Sequence, residues 1–140
     1  MNRPLLCFAL LAGSAVPALA EHPILPGYWE STSRATFIID QPPKTDHRCL
    51  TPETVDQYIS SPSTSHYKCS YAKKTIGGGK ADFEGQCRDK HGRTFLIALH
   101  GTYEPERFRM KAVFNVPNLP ISGSAVTEAK RISATCPAGK

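Results

Sequence analysis

Apolar and polar residues alternate with a period of two over most of this chain, the spacing of half-buried β-strands. Residues 27–39 read GYWESTSRATFII. Trp29, Ala35, Phe37 and Ile39 fall on one parity, and Tyr28, Glu30, Thr32, Arg34 and Thr36 on the other. That predicts one long strand with a single inward face. DQPPK at 40–44 ends it, because proline cannot join an interior ladder. YKCSYAKKTI at 67–76 runs into three glycines at 77–79, and KADFEGQCR at 80–88 returns. In the returning segment Lys80, Asp82, Glu84, Gln86 and Arg88 alternate with Ala81, Phe83, Gly85 and Cys87. DKHG at 89–92 and PE at 105–106 turn the chain again, which predicts strands over 93–104 and 107–116. In the second of these, Phe108, Met110, Ala112, Phe114 and Val116 share one face. PNLPISGSA at 117–125 reads as a loop and residues 126–136 as the closing strand.

One stretch breaks the period. In CLTPETVDQYIS at 49–60, Thr51 can cap a helix, Pro52 suits its first position, and Glu53 sits near the positive end of its dipole. Val55, Tyr58 and Ile59 then share a face at spacings of three and four. SSPSTS at 60–65 follows as a loop. Six strands and one short helix predict an all-β domain, a curved antiparallel sheet or half-barrel meander over residues 21–140.

The first twenty residues do not belong to that pattern. Arg3 precedes an apolar run, and Ala18-Leu19-Ala20 has the small-x-small form of a signal-peptidase site. We expect a signal peptide over 1–20, cleaved after Ala20, and a periplasmic or secreted mature protein. The apolar run is shorter than the roughly 20 residues a membrane span needs, so no span is expected after cleavage. Cys7 would leave with the leader. Loss of Arg3 takes the formal net charge from +5 to +4, with 16 basic residues against 12 acidic ones. The two signs are interspersed, without the basic cluster and interleaved aromatics of a nucleic-acid face, so no nucleic-acid partner is expected.

Four cysteines remain, Cys49, Cys69, Cys87 and Cys136. An even number in an exported chain predicts two disulfides. A zinc site would want a close Cys-x-x-Cys pair, and none is present. Symmetry of the hairpin about Gly78 would set Cys69 opposite Cys87 and leave Cys49 for Cys136. The other arrangement pairs neighbours, Cys49 with Cys69 and Cys87 with Cys136. We prefer the second, because it ties down the helix and the last strand, the segments with least core of their own.

Candidate chemistry is sparse. Of the five histidines, only His100 falls within an expected strand, and His22, His47, His66 and His91 fall in loops or the amino-terminal lead-in. His47 beside Asp46 is the one adjacent acid–base pair, on what reads as a loop. No metal-ligand spacing occurs, so neither a metal nor a cofactor is expected. ISGSAV at 121–126 offers Ser122 and Ser124 without the GxSxG turn of a hydrolase nucleophile. GGGK at 77–80 joins two strands and lacks phosphate-loop spacing. No catalytic residue is assigned, and no enzyme activity is expected.

PGYWE at 26–30, CLTPE at 49–53, the pair Cys69 and Cys87, and KRISATC at 130–136 together resemble an exported bacterial family catalogued as domain of unknown function 3617. The resemblance spans nearly the whole mature chain. Tyr28 stands where that family usually has an aliphatic residue, and Ser133 where glycine is common. Membership implies an exported β domain and carries no activity with it. The Gly-x-Trp opening is also similar to that of lipocalin-like barrels, where a late arginine stacks on the tryptophan. That similarity implies Trp29 and Arg131 as a structural anchor through a cation–π contact.

Two functions follow as expectations. One is a monomeric binding module that holds a small apolar or amphipathic ligand on the concave face, against Phe83, Phe95, Ile97, Leu99, Phe108, Met110 and Phe114. The other is an envelope protein-interaction module without a ligand pocket. An enclosed apolar cavity would favour the first, and a filled interior with an exposed apolar patch the second.

Overall fold

The computed structural model describes residues 22–60 and 66–139. The expected leader, its cleavage point after Ala20 and loop residues 61–65 lie outside the described residues. Seven strands and one helix follow in the order β1 (Gly27–Thr36), β2 (Lys44–Leu50), α1 (Pro52–Ser60), β3 (Tyr67–Gly77), β4 (Lys80–Asp89), β5 (Thr94–Glu104), β6 (Arg107–Asn115) and β7 (Ser122–Ser133). They form one antiparallel sheet ordered β2-β1-β7-β6-β5-β4-β3, an open sheet whose edges β2 and β3 do not pair with each other. Alternating aromatic and β-branched residues suit this pleated, half-buried surface.

The count of strands corrects the expected six. The added strand is β2, for KTDHRCL shows no alternation and as an edge strand buries only Leu50 fully. Its pairing comes from the hairpin with β1, in which Gly27 faces Leu50 and Ser33 faces Lys44. β1 stops at Thr36, three residues short of the expected end, because the chain bends through 37–39 and leaves Ile38 and Ile39 in solvent. β7 starts at Ser122, inside the expected loop, where Gly123 lies beneath the ring of Phe114.

α1 lies on the concave face. Thr51 caps it, with Thr54 and Val55 amides donating to the Thr51 carbonyl at 3.1 and 3.0 Å. The Thr51 amide donates in return to Thr54 Oγ1 at 2.9 Å. The Thr51 hydroxyl, with a backbone amide, holds the Glu53 carboxyl below the usual carboxylate range. Tyr58 carries Arg48 of β2 over its ring at 5.5 Å and meets Phe108 of β6 edge-on at 5.8 Å. β2 and β6 are three ladder steps apart, about 14 Å across a flat sheet. One side chain touching both means that the sheet curls around the helix.

The core fills one end of that curl, where β1 starts and the β3–β4 and β5–β6 turns lie. Trp29, Phe83, Ile24, Val55, Ile59 and Ala81 are all but fully buried there, with Leu99, Phe108, Met110, Leu50 and Ala129 around them. Residues 22–26 serve as a plug. Leu25 donates its amide to the Pro105 carbonyl at 2.8 Å and accepts the Trp29 indole N–H at 3.0 Å.

The disulfides are Cys49–Cys136 and Cys69–Cys87, which overturns the preferred neighbour pairing. Gly78 and Gly79 adopt φ of 58° and 76°, the positive values a tight two-residue hairpin turn requires. That turn alone would set Cys69 opposite Arg88. A bulge at Ala72, between Tyr71 and Lys73, shifts the register by one and makes Cys69 and Cys87 direct partners. Tyr28 faces both Cys49 on β2 and Ser133 on β7, so the tail beyond Ser133 has only to cross the start of β1 to reach Cys49.

Candidate functional site

The inward residues form rows that run across the strands, and the rows change character along the strand direction. Near the start of β1 lie Trp29 and Arg131, direct partners across the β1–β7 ladder. Arg131 does not use its charge on the indole. Its Nε donates to the Pro26 carbonyl at 2.8 Å and its Nη1 pairs with Glu106 at 3.1 Å. Among the described residues, the cations that sit over rings are Arg48 on Tyr58 and Lys74 on Phe83. Trp29 packs instead against Phe108, with ring centroids 5.9 Å apart.

The seven residues expected to line a ligand site divide into two groups. Phe83, Leu99, Phe108 and Met110 belong to the packed core beneath α1 and are closed off from solvent. Phe95, Ile97 and Phe114 are half-buried and lie toward the opposite, open end. There a chain of ring contacts links Phe37 to Phe114 at 5.0 Å, Phe114 to Phe95 at 5.9 Å, and Phe95 to Tyr67 at 5.2 Å. Phe37 and Tyr67 are exposed at the two ends of this row. Phe37 has the parity of Trp29, so alternation places it on this face; Tyr67 carried no separate signal.

Between the aromatic row and the core runs a lane of small residues. Ala35, Ala125 and Ala112 stand side by side on β1, β7 and β6, and all three are partly exposed. The next row toward the core holds Ser33 and Thr127, whose hydroxyls hydrogen-bond at 2.8 Å. The open half of the concave face is therefore a solvent-open lane with alanines along its floor, an aromatic row beside it and one hydroxyl pair, and not the enclosed apolar cavity that marks a ligand module. Tyr71, inward on β3 and tilted against Phe83 at 5.6 Å, has its phenol pushed up to about 12 by burial.

The convex face differs in kind. An open groove of about 640 Å³ is lined by Glu30, Thr32, Arg107, Arg109, Glu128 and Lys130, among others. Glu30 accepts from Lys130 at 3.1 Å and from His47 at 3.0 Å, and these hydrogen bonds hold its carboxyl below the usual range. His47 lies in β2, not in a loop, and its carboxylate partner is Glu30. Asp46, the expected partner, pairs with Arg48 at 3.5 Å. His100 pairs across the ladder with Asp82 at 2.6 Å. The contacts of Glu30 with His47 and Lys130 and of Asp82 with His100 run across ladders, and Asp46–Arg48 lies within β2; such surface contacts are worth little individually. Among the described residues no three of His, Cys, Asp and Glu converge as a metal site, and no helix is long and apolar enough to cross a membrane.

One family model matches the chain, over residues 24–136, and its description is protein of unknown function (DUF3617). No curated protein and no solved structure matches.

Proposed function

The chain belongs to the DUF3617 family, and on that footing we propose that it is an exported bacterial envelope protein that binds a small amphipathic ligand in the open half of its concave face. The observation that carries this reading is the partly exposed aromatic row from Phe37 to Tyr67 above the lane of Ala35, Ala112 and Ala125. A slender apolar chain lies in such a lane with the rings along its flank, and the Ser33–Thr127 hydroxyl pair offers a polar partner. The two disulfides support an oxidising compartment, in keeping with removal of residues 1–20. Amino-terminal sequencing of the protein recovered from the periplasm would then begin at Glu21.

Titration with a dansyl-labelled fatty acid tests the ligand reading. Saturable, one-to-one fluorescence enhancement is expected for the wild type, with at least a tenfold weaker response once Ala112→Phe and Ala125→Phe fill the lane. Non-saturable enhancement, or equal binding by the filled variant, would sink it. The second reading, an envelope protein-interaction module, draws on the packed interior at the Trp29 end and on the two unjoined sheet edges. It predicts no saturable response to the fatty acid and co-purification of a stoichiometric protein partner from the envelope.

A further inference from the structure

We infer that the mature amino terminus is a copper(II) site closed by a carboxylate of α1. The inference rests on the proposed cleavage after Ala20, which makes Glu21 the first residue. Metal-ligand spacing rules count side chains, whereas two of the ligands here are backbone nitrogens. In Glu21-His22-Pro23, covalent connectivity alone joins the α-amine, the His22 amide nitrogen and His22 Nδ1 into two fused chelate rings on one ion. Pro23 has no amide proton to lose. Chelation along the backbone therefore stops at His22, and one position of a square-planar ion stays open.

The fold supplies a fourth ligand for that position. His22 Nδ1, the ring nitrogen that forms the chelate, lies 2.9 Å from Asp56 Oδ1. Two ligands at right angles, each about 2.0 Å from a metal, stand about 2.8 Å apart. Asp56 is thus placed as the neighbouring ligand, and an ion needs to displace only the proton the two atoms share. Packing fixes this juxtaposition from both sides. Ile24, two residues after His22, is fully buried, and Val55 and Ile59 fasten the same turns of α1 to that core. The pair itself stays within reach of solvent, with the His22 side chain 28% and the Asp56 side chain 56% exposed. Three nitrogens and one oxygen in a plane select copper(II), which prefers tetragonal N,O ligation and heads the affinity order of the divalent first-row ions. Zinc favours tetrahedral sites instead.

Titration of the protein recovered from the periplasm with copper(II) chloride tests the inference, with amino-terminal sequencing of the same sample. One equivalent is expected to bind, with an electron paramagnetic resonance signature of three nitrogens and one oxygen. Affinity is expected to fall on acidification, because the ligands must shed protons to bind. Acetylation of the α-amine or His22→Ala should weaken binding roughly hundredfold, and Asp56→Asn roughly tenfold, each with the wild-type unfolding curve in the absence of copper. Equal binding by the acetylated or His22→Ala protein would assign the copper to other histidines and overturn the site. Unchanged affinity and resonance in Asp56→Asn would overturn its closure by α1. A sample that begins at Glu21 and binds no copper sinks the site alone, whereas one that begins elsewhere sinks the proposed cleavage and the site with it. The fatty-acid titration reads the alanine lane and is indifferent to either result.

Discussion

Gly27 and Trp29 explain why the opening motif is a glycine and a tryptophan two apart. Gly27 has φ of 145°, and a Cβ there would collide with the Ser133 carbonyl and with Arg131 Nε. Gly27→Ala is therefore expected to cost roughly 1–3 kcal/mol, read from the urea midpoint. Trp29 is fully buried, with its indole N–H satisfied by Leu25. Trp29→Ala should cost roughly 3–5 kcal/mol, the range for deleting a buried large aromatic, and an unchanged unfolding curve would remove its anchoring role. Tyr71 sets a pH dependence. Burial raises its phenol to about 12 from the ordinary tyrosine value of 10.0, so the folded state holds that proton more tightly than the unfolded chain. The stability it adds is complete below the unfolded pKa and is lost as pH rises from about 10 towards 12. Tyr71→Phe should flatten that part of the alkaline unfolding profile. At this scale the sequence was informative about which side a residue faces, because parity alone places Trp29 and Phe37 together. It was silent about partners: nothing local says that His47 reaches Glu30 across a ladder, since that pairing depends on a strand with no apolar alternation.

At the scale of elements, the β3–β4 hairpin shows how two local features combine to make one contact. The two-residue glycine turn fixes the register near Lys80, and the bulge at Ala72 resets it before Cys69 meets Cys87. Symmetry about Gly78 reaches the same pairing from the sequence, where the glycine turn is legible but its two-residue register and the bulge at Ala72 are not. The helix was legible for the opposite reason. Its start is encoded in four adjacent residues, Thr51 to Thr54, and its inward face in Val55 and Ile59. β2 was not legible, because an edge strand with one fully buried residue leaves no periodic trace. Removal of the hairpin bridge by Cys69→Ser with Cys87→Ser frees a loop of sequence separation 18. The expected cost is about 3 kcal/mol on the chain-entropy account, with α1 and the Trp29 core intact by near-ultraviolet circular dichroism.

For the molecule as a whole, the open sheet poses a problem that the second disulfide answers. β2 holds the rest of the sheet only through β1, and α1 follows it directly, so the segment from Lys44 to Ser60 has one ladder and one helix face to keep it in place. The tail after Ser133 has no ladder at all. Cys49–Cys136 joins these two weak segments past the first residues of β1, at a sequence separation of 87. The alternation of residues predicts the sheet and its curl, whereas this closure depends on which strands become neighbours after folding, and no local pattern records that. A longer loop removes more entropy from the unfolded chain, so this bridge should contribute about 4.5 kcal/mol against about 3 kcal/mol for Cys69–Cys87. Peptide mapping without reduction should recover Cys49 linked to Cys136, and a Cys49–Cys69 peptide would overturn the topology. Urea unfolding of the Cys49→Ser, Cys136→Ser variant should then show the larger loss of the two, together with fast amide exchange confined to β2, α1 and the tail. If the hairpin variant were the less stable one, local strain or packing, not loop closure, would be what these bridges supply.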